Sequence, residues 1–402
     1  MPPTYDYKVG HVIDVLKGMS EKSVQMVVTS PPYYKMRLYD GEQSVSWPDG
    51  TSGAYGQEND PLTYVAHTVL ILREIRRVLR DDGVVFWNIG DSYAGSGKAG
   101  TNPEYWKKHT MFGKVGNEKK FGVPPGIPSG YKRKDLFLVP ERVVIALQED
   151  GWYVRGDIIW QKSGSMESCT DRPTRIHEYI WLLTKNEDYF WDYVAGREQG
   201  TIPAGTKGAK GSEKRLAVKG VNARPAEYHV YDGMRNMRSI WKISTENSRV
   251  AHYACFPRSL VRKCMTVATS EKGCCPKCGS PWERVWKKVR PEGWQDKGPQ
   301  SEKEQGQRAV AKELYGGNQK TRTLGDIYGR AMQSRVETTG WKATCKCGLT
   351  EDQNVPCTVL DPFAGAGTTF LVAKEMGRSA IGIDIHDGYK EISKKREGLY
   401  TK

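Results

Sequence analysis

"TVLDPFAGAGTTFLVAKEMGRSAIGIDI", residues 358–385, decides how the rest of the chain is read. Thr358 to Leu360 form a short apolar run that enters a glycine-rich turn; a helical stretch follows, and a second apolar run closes at Asp384. Strand, turn, helix and strand in this order are one unit of an α/β sheet. Gly365 and Gly367 let the backbone take dihedrals other residues resist and approach a ligand closely. The helix after the turn offers unpaired N–H groups at its start. Asp384 ends the next strand, 23 residues after Asp361, where a carboxylate can accept both hydroxyls of a ribose. The turn has neither GxGxxG nor GK[ST], so neither a dinucleotide pyrophosphate nor a triphosphate is favoured. The pattern is that of a nucleoside cofactor site.

Working outward, the same alternation recurs. "SVQMVVTS" reads as a strand. From Asp60-Pro61 to Gly83 apolar residues recur at helical spacing, with Pro61 in the first turn and Gly83 as the stop. "GVVFWNIGDSY" is a second strand, helix "PERVVIALQEDG" leads into "WYVRGDIIWQK", and "EYIWLLTK" adds one more. Strands alternating with helices predict an α/β fold with a doubly wound, mostly parallel sheet. Lysine and arginine number 61 against 47 acidic residues, a surplus of 14, which favours a polyanionic partner, nucleic acid first. No run approaches the ~20 apolar residues of a membrane helix. "MPPTYDYKVGHV" carries no secretory pattern, so a soluble cytoplasmic protein with no membrane partner is expected. Residues 94–134 and 195–239 are long, basic and glycine-rich, suited to a phosphate backbone or equally to solvated loops.

"VVTSPPYYKM", residues 27–36, ends a buried strand in a stiff aromatic corner. "DPFAGAGTT" and "TSPPYY" together resemble the cofactor and catalytic motifs of amino-methyltransferases acting on DNA. Their order, catalytic motif first, resembles the β group of that family. The resemblance extends through "GVVFWNIGDSY", "GWYVRGDIIWQK", "HEYIWLLTK" and "HYACFPRSL", most of the chain apart from the loops and one insertion. It implies the class I S-adenosylmethionine-dependent methyltransferase fold in permuted order. S-adenosylmethionine would be held by Asp361, Pro362, Phe363, Gly365, Gly367 and Thr368 of the glycine turn, by Asp384, and by Phe256 and Pro257. Asp91 is either a pocket residue or a helix-cap aspartate. Ser30, Pro31, Pro32 and Tyr33 would be catalytic. An exocyclic amine is a poor nucleophile, and Ser30 Oγ with the Pro31 carbonyl would draw its N–H bonds as fixed dipoles. Tyr33 would stack on a base flipped from the duplex. No cysteine should be catalytic. Serine before Pro-Pro-Tyr tilts the reading to N4 of cytosine, with N6 of adenine as the alternative. RNA or protein-glutamine methylation, and a non-enzymatic zinc-bearing DNA-binding module, are weaker readings. Double-stranded DNA, a homodimer and a cognate restriction endonuclease are the partners implied. Two departures stand out: family members often carry Gly-Asp where this chain has Gly10-His11, and aspartate where it has Gln25.

Nine cysteines sit unevenly. Where many members have only a few residues, residues 273–348 begin "GCCPKCGSPWERVW" and end "GWKATCKCG". Cys275 and Cys278 have knuckle spacing, and Cys345 with Cys347 would complete a structural Cys₄ zinc site. Cys274 competes with Cys275, the second pair has a tighter gap than usual, and free reduced thiols are the alternative. The segments expected are a catalytic half (1–93), the basic loop (94–134), the rest of that half (135–194), a target-recognition region (195–239), a cofactor-pocket segment (240–272), the zinc ribbon (273–348) and the cofactor half (349–402).

Overall fold

The computed structural model describes residues 1–36, 44–95, 127–164, 169–201, 233–246, 256–289 and 335–400. Most of the basic loop (96–126), most of the target-recognition region (202–232) and the centre of the zinc ribbon (290–334) lie outside the described residues.

The chain begins with β1 (Tyr5–Val9), α1 (Val12–Lys17), β2 (Val24–Thr29), α2 (Pro61–Val78) and β3 (Leu79–Ile89). It continues through α3 (Val139–Glu149), β4 (Tyr153–Gln161), β5 (His177–Thr184), β6 (Ile240–Lys242) and α4 (Arg258–Ala268). A strand pair, β7 (Trp282–Val289) and β8 (Arg335–Ala343), precedes β9 (Thr358–Asp361), α5 (Thr368–Glu375), β10 (Ser379–Asp384) and α6 (Asp387–Tyr400).

Eight strands form one sheet in the order β1-β10-β9-β2-β3-β5-β4-β6. All neighbours are parallel except at β5, which runs antiparallel to both β3 and β4. The sheet is thus α/β and mostly parallel, as the alternation implies. From β9 the chain crosses to β10 on one side, whereas from β2 it crosses to β3 on the other. The reversal falls between β9 and β2, which pair through Val359↔Met26 and Leu360↔Val27. Ligands of doubly wound sheets bind at such a switch point, beyond the carboxyl ends of the strands.

α2 begins as its sequence predicts: Asp60 Oδ1 accepts from the N–H groups of Leu62 and Thr63 at 2.9 and 3.0 Å, with Pro61 in the first turn. Its buried stripe includes Tyr64, Ile71, Leu72, Ile75 and Val78. The helix stops five residues before Gly83, however. The N–H groups of Lys22 and Ser23 take the carbonyls of Arg77 and Val78, and Leu79 pairs with Val24 in the sheet. Gly83 lies inside β3, where a Cβ would meet the Gln25 carbonyl at 2.9 Å. It permits close strand approach rather than ending a helix.

The described chain divides into two compact units, one of residues 1–195, 238–283 and 341–402, the other of 196–237 and 284–340. The first holds the whole eight-stranded sheet and both ends of the cysteine-bearing segment. No described helix is long and apolar enough to cross a membrane.

Candidate active site

The carboxyl ends of β2 and β9 meet through one hydrogen bond. Thr29, the last residue of β2, donates its hydroxyl to Asp361 Oδ1 at 2.7 Å, and Ser30 follows immediately. Asp361 is fully buried; its other oxygen accepts from the Thr369 hydroxyl at 2.6 Å, and Oδ1 also accepts from Phe363 N–H at 3.2 Å. Burial outweighs these donors and pushes its carboxyl up to about 6. Asp361 therefore ties β2, the glycine turn and the first turn of α5 together.

The turn residues divide by role. Gly365 has φ +49° and donates its N–H to Asp384 Oδ2 at 2.9 Å, while its carbonyl accepts from the Tyr7 hydroxyl at 2.8 Å. Gly367 has φ +77°, and a Cβ there would sit 2.0 Å from Ser393 Oγ of α6. Its missing Cβ makes room for α6. Thr368 faces the same helix: its hydroxyl accepts from Arg396 at 2.7 Å. Asp384 accepts from Gly365 N–H on one oxygen and from His386 N–H on the other, at 2.9 Å each, and burial raises its partly exposed carboxyl. The carboxylate keeps acceptor capacity beyond these donors. Pro362 is buried in the turn, and Phe363 stacks on Tyr55 with ring centroids 5.4 Å apart. Phe256 is buried beside Pro257, which caps α4, and α4 packs on α5 and β2.

The corner at Ser30 is built from both sides. Pro31 is buried, and the Pro32 carbonyl accepts from the Tyr64 hydroxyl of α2 at 3.0 Å, which fixes the peptide plane after Pro31-Pro32. Tyr33 lays its ring over Gly90, where a Cβ would come within 2.8 Å of it. The Tyr33 hydroxyl lies 3.1 Å from Ser30 Oγ and 3.1 Å from Asn88 Oδ1, and donates to Glu178 Oε2 at 2.7 Å. Asn88 Nδ2 donates to the same Glu178 oxygen at 3.2 Å, and Lys162 pairs with its other oxygen. Asn88, Glu178 and Lys162 were not singled out by the sequence reading. The available signal was a buried asparagine inside the apolar strand "VVFWNI". Asp91 reaches the start of α3: it accepts from the N–H groups of Leu138 and Val139 at 3.1 Å each and from Ser92 at 2.9 Å, with Arg175 at 3.5 Å. It caps α3.

A second cluster lies in the same compact unit. The thiols of Cys275, Cys278, Cys345 and Cys347 all lie within 4.8 Å of one another. Four sulfurs around zinc at 2.3 Å would be ~3.8 Å apart, so small side-chain adjustments complete a tetrahedron. Cys274 does not compete. It is buried, its Sγ 3.6 Å from the Val355 carbonyl.

A family model described as DNA methylase, N6_N4_Mtase, matches residues 24–275 and 354–395. It leaves out residues 276–353, which carry three of the four clustered cysteines. The type II methyltransferase M.Cfr9I of Citrobacter freundii is 35% identical over 261 residues, 65% of this chain and 71% of that protein. M.SmaI of Serratia marcescens is 28% identical over 389 residues, 96% of this chain and 89% of that protein. Among solved structures, the PvuII DNA methyltransferase (cytosine-N4-specific) has a TM-score of 0.49 at 14% identity, covering 98% of this chain and 88% of that one. The matched residues include both ends of the switch point, Ser30 and Asp361: the chain belongs to the N6/N4 DNA methylase family.

Proposed function

We propose that this chain is a site-specific DNA methyltransferase that transfers a methyl group from S-adenosylmethionine to the N4 amine of a cytosine swung out of duplex DNA, as the modifying partner in a restriction–modification system. The observation that carries the reading is the junction of Ser30 with the Thr29–Asp361 bond at the switch point. It sets an amine acceptor beside a turn whose residues fit a nucleoside cofactor. The type II methyltransferase names of the relatives support the restriction–modification setting.

The residues divide the work. Asp384 accepts the ribose hydroxyls, with its carboxylate aimed by two backbone N–H groups. The glycine turn, Phe363, and Phe256 with Pro257 enclose the remainder. Bound there, S-adenosylmethionine supplies an electrophilic methyl on a sulfonium. Ser30 Oγ and the Pro31 carbonyl accept the N–H bonds of the amine and raise its nucleophilicity, needing little reorganisation because the Pro-Pro corner is held by Tyr64. Once methylated, the amine nitrogen must lose a proton. Ser30 Oγ takes it and passes its own hydrogen to the Tyr33 hydroxyl, whose proton moves to the Glu178 carboxylate. Lys162 holds that carboxylate in place. The Cys₄ cluster would hold a structural zinc, since all four positions are filled by protein thiols.

The test is expression in a host without DNA methylation, digestion of genomic DNA to nucleosides, and mass spectrometry. N4-methylcytosine is expected. N6-methyladenine would keep the site and overturn the choice of base. Neither base, from protein that still binds S-adenosylmethionine, would remove DNA as the substrate.

A further inference from the structure

The surroundings of Gln25 tie it to the cysteine cluster. The side chain is 8% exposed and lies on β2. Its Oε1 accepts from the N–H of Thr358, the first residue of β9, at 2.6 Å. Its Nε2 donates to the carbonyl of Gly279, the residue after Cys278 in the knuckle turn, at 3.2 Å. Only a side chain that both donates and accepts can make this bridge; a carboxylate cannot supply the donor. Gly279 itself has φ +71°, with Gln25 Nε2 3.2 Å from where its Cβ would be.

Two further contacts converge on the same turn. Arg80 of β3 donates to the Cys278 carbonyl and to Ser280 Oγ, the latter at 3.2 Å, while Asp82 holds its guanidinium. Cys274 exchanges both backbone hydrogen bonds with Val355, at 2.8 and 2.9 Å, just ahead of β9. The knuckle thus touches β2, β3 and the approach to β9 at once. The β2–β9 ladder has two paired positions, Val359↔Met26 and Leu360↔Val27. The Gln25 side chain takes up the Thr358 N–H one place further along. Three residues on, at ~3.3 Å per residue, the strand reaches Asp361.

We infer that the Cys₄ site, with zinc bound, is a splint for the amino-terminal ends of the central strands, acting through Gln25 and Arg80 to hold β9 and the cofactor turn in register. The inference rests on the proposed metal and cofactor readings. Metal at Cys275 and Cys278 fixes the knuckle carbonyls that Gln25 and Arg80 address. Metal at Cys345 and Cys347 brings the returning chain onto the same point. The site serves the cofactor half of the enzyme rather than DNA contact.

The experiment uses full-length protein purified with its metal, in wild-type, Q25E and C278S forms. Metal content is measured by mass spectrometry, melting temperature by calorimetry, S-adenosylhomocysteine affinity by titration calorimetry, and affinity for a random duplex by anisotropy. Q25E should keep one zinc per chain, melt roughly 2–4 °C lower, and bind S-adenosylhomocysteine about tenfold more weakly, with duplex affinity unchanged. Zinc removal from wild type with a chelator should reproduce that pattern, and removal from Q25E should add little further loss. A metal-loaded Q25E with wild-type melting and cofactor affinity would overturn the splint. So would chelation or C278S weakening the duplex alone. Wild-type protein that binds neither zinc nor cobalt(II) would overturn the metal reading and the splint together. Wild type that fails to bind S-adenosylhomocysteine would sink the cofactor reading, while melting temperatures still decide the splint.

Discussion

Replacing Asp361 by asparagine should make the cofactor-free protein relatively more stable as pH rises, although it removes a residue at the centre of the proposed site. The wild-type carboxyl is fully buried and titrates at about 6 because burial outweighs the Thr369, Thr29 and Phe363 donors. In an unfolded chain an aspartate titrates near ~3.9. Between those values the native state keeps a proton that the unfolded state has lost. The favourable contribution is therefore fully present below pH ~4 and is lost as pH rises through about 6. At ~1.4 kcal/mol per pH unit the loss reaches roughly 3 kcal/mol by pH 8. Asparagine has no such titration. Its amide carbonyl can accept one hydroxyl, and the other threonine can rotate to accept from the amide, so a constant offset of about 1 kcal/mol is expected at every pH. The assay is urea unfolding of both proteins, free of cofactor, from pH 4 to pH 8. Asp384 and Asp91 titrate in both proteins and cancel to first order in the difference. That difference should move in favour of D361N by roughly 3 kcal/mol, mostly between pH 4 and pH 6. A flat difference across the range, or one moving against the variant, would refute the argument that burial dominates at this carboxylate.

Other substitutions separate the roles within the site. Ser30→Ala should lower the single-turnover methylation rate by about 100-fold or more while leaving S-adenosylhomocysteine affinity within about twofold; a matching loss of affinity would mean that Ser30 mainly shapes the cofactor pocket. Tyr33→Phe keeps a ring for stacking but cuts the link to Glu178, and both it and Glu178→Gln should slow the chemical step about tenfold with a changed pH–rate profile; an unaltered profile in both would remove the proton path. Asp384→Ala should weaken cofactor binding at least about tenfold, read by calorimetry. Asp91→Ala should destabilise the protein by about 1–2 kcal/mol in urea through loss of the cap on α3, with cofactor affinity unchanged; weakened cofactor binding would instead put Asp91 in the pocket.

The fold was legible because two periodicities and one turn were enough. The apolar runs at 24–29, 84–89 and 358–360, with the helical stripe from Pro61, specify parallel units, and short βα connections leave few ways to join them. What the sequence could not show is where the reversal falls. That β9 lies against β2, and so brings Asp361 to Thr29, depends on strand order across more than three hundred residues. The boundary of α2 was misread for a related reason. Leu79 to Asp82 have helix-compatible side chains, and what pulls Leu79 into the sheet is its pairing with Val24 together with the Lys22 and Ser23 bonds, none of which is local.

Residues that act alone and residues that act in pairs therefore differ in how well they can be read. Gly365 and the clustered cysteines carry their chemistry in their own backbone or side chain, so the turn pattern and the spacing nominate them, while Ser30 is nominated by the resemblance of its motif. Asn88, Glu178 and Lys162 come from β3, from β5 and from just beyond β4, and only the antiparallel pairing of β5 with both neighbours sets them around one tyrosine hydroxyl. Gly367 shows the converse: a conspicuous motif glycine whose missing Cβ also makes room for Ser393, a packing role that no local pattern reveals. Gln25 joins both cases. As a single residue it is only a departure from a pattern, yet with Thr358 on one side and Gly279 on the other it links the cofactor strand to the thiol cluster. Gln25 is the point at which a segment outside the matched family residues attaches to them.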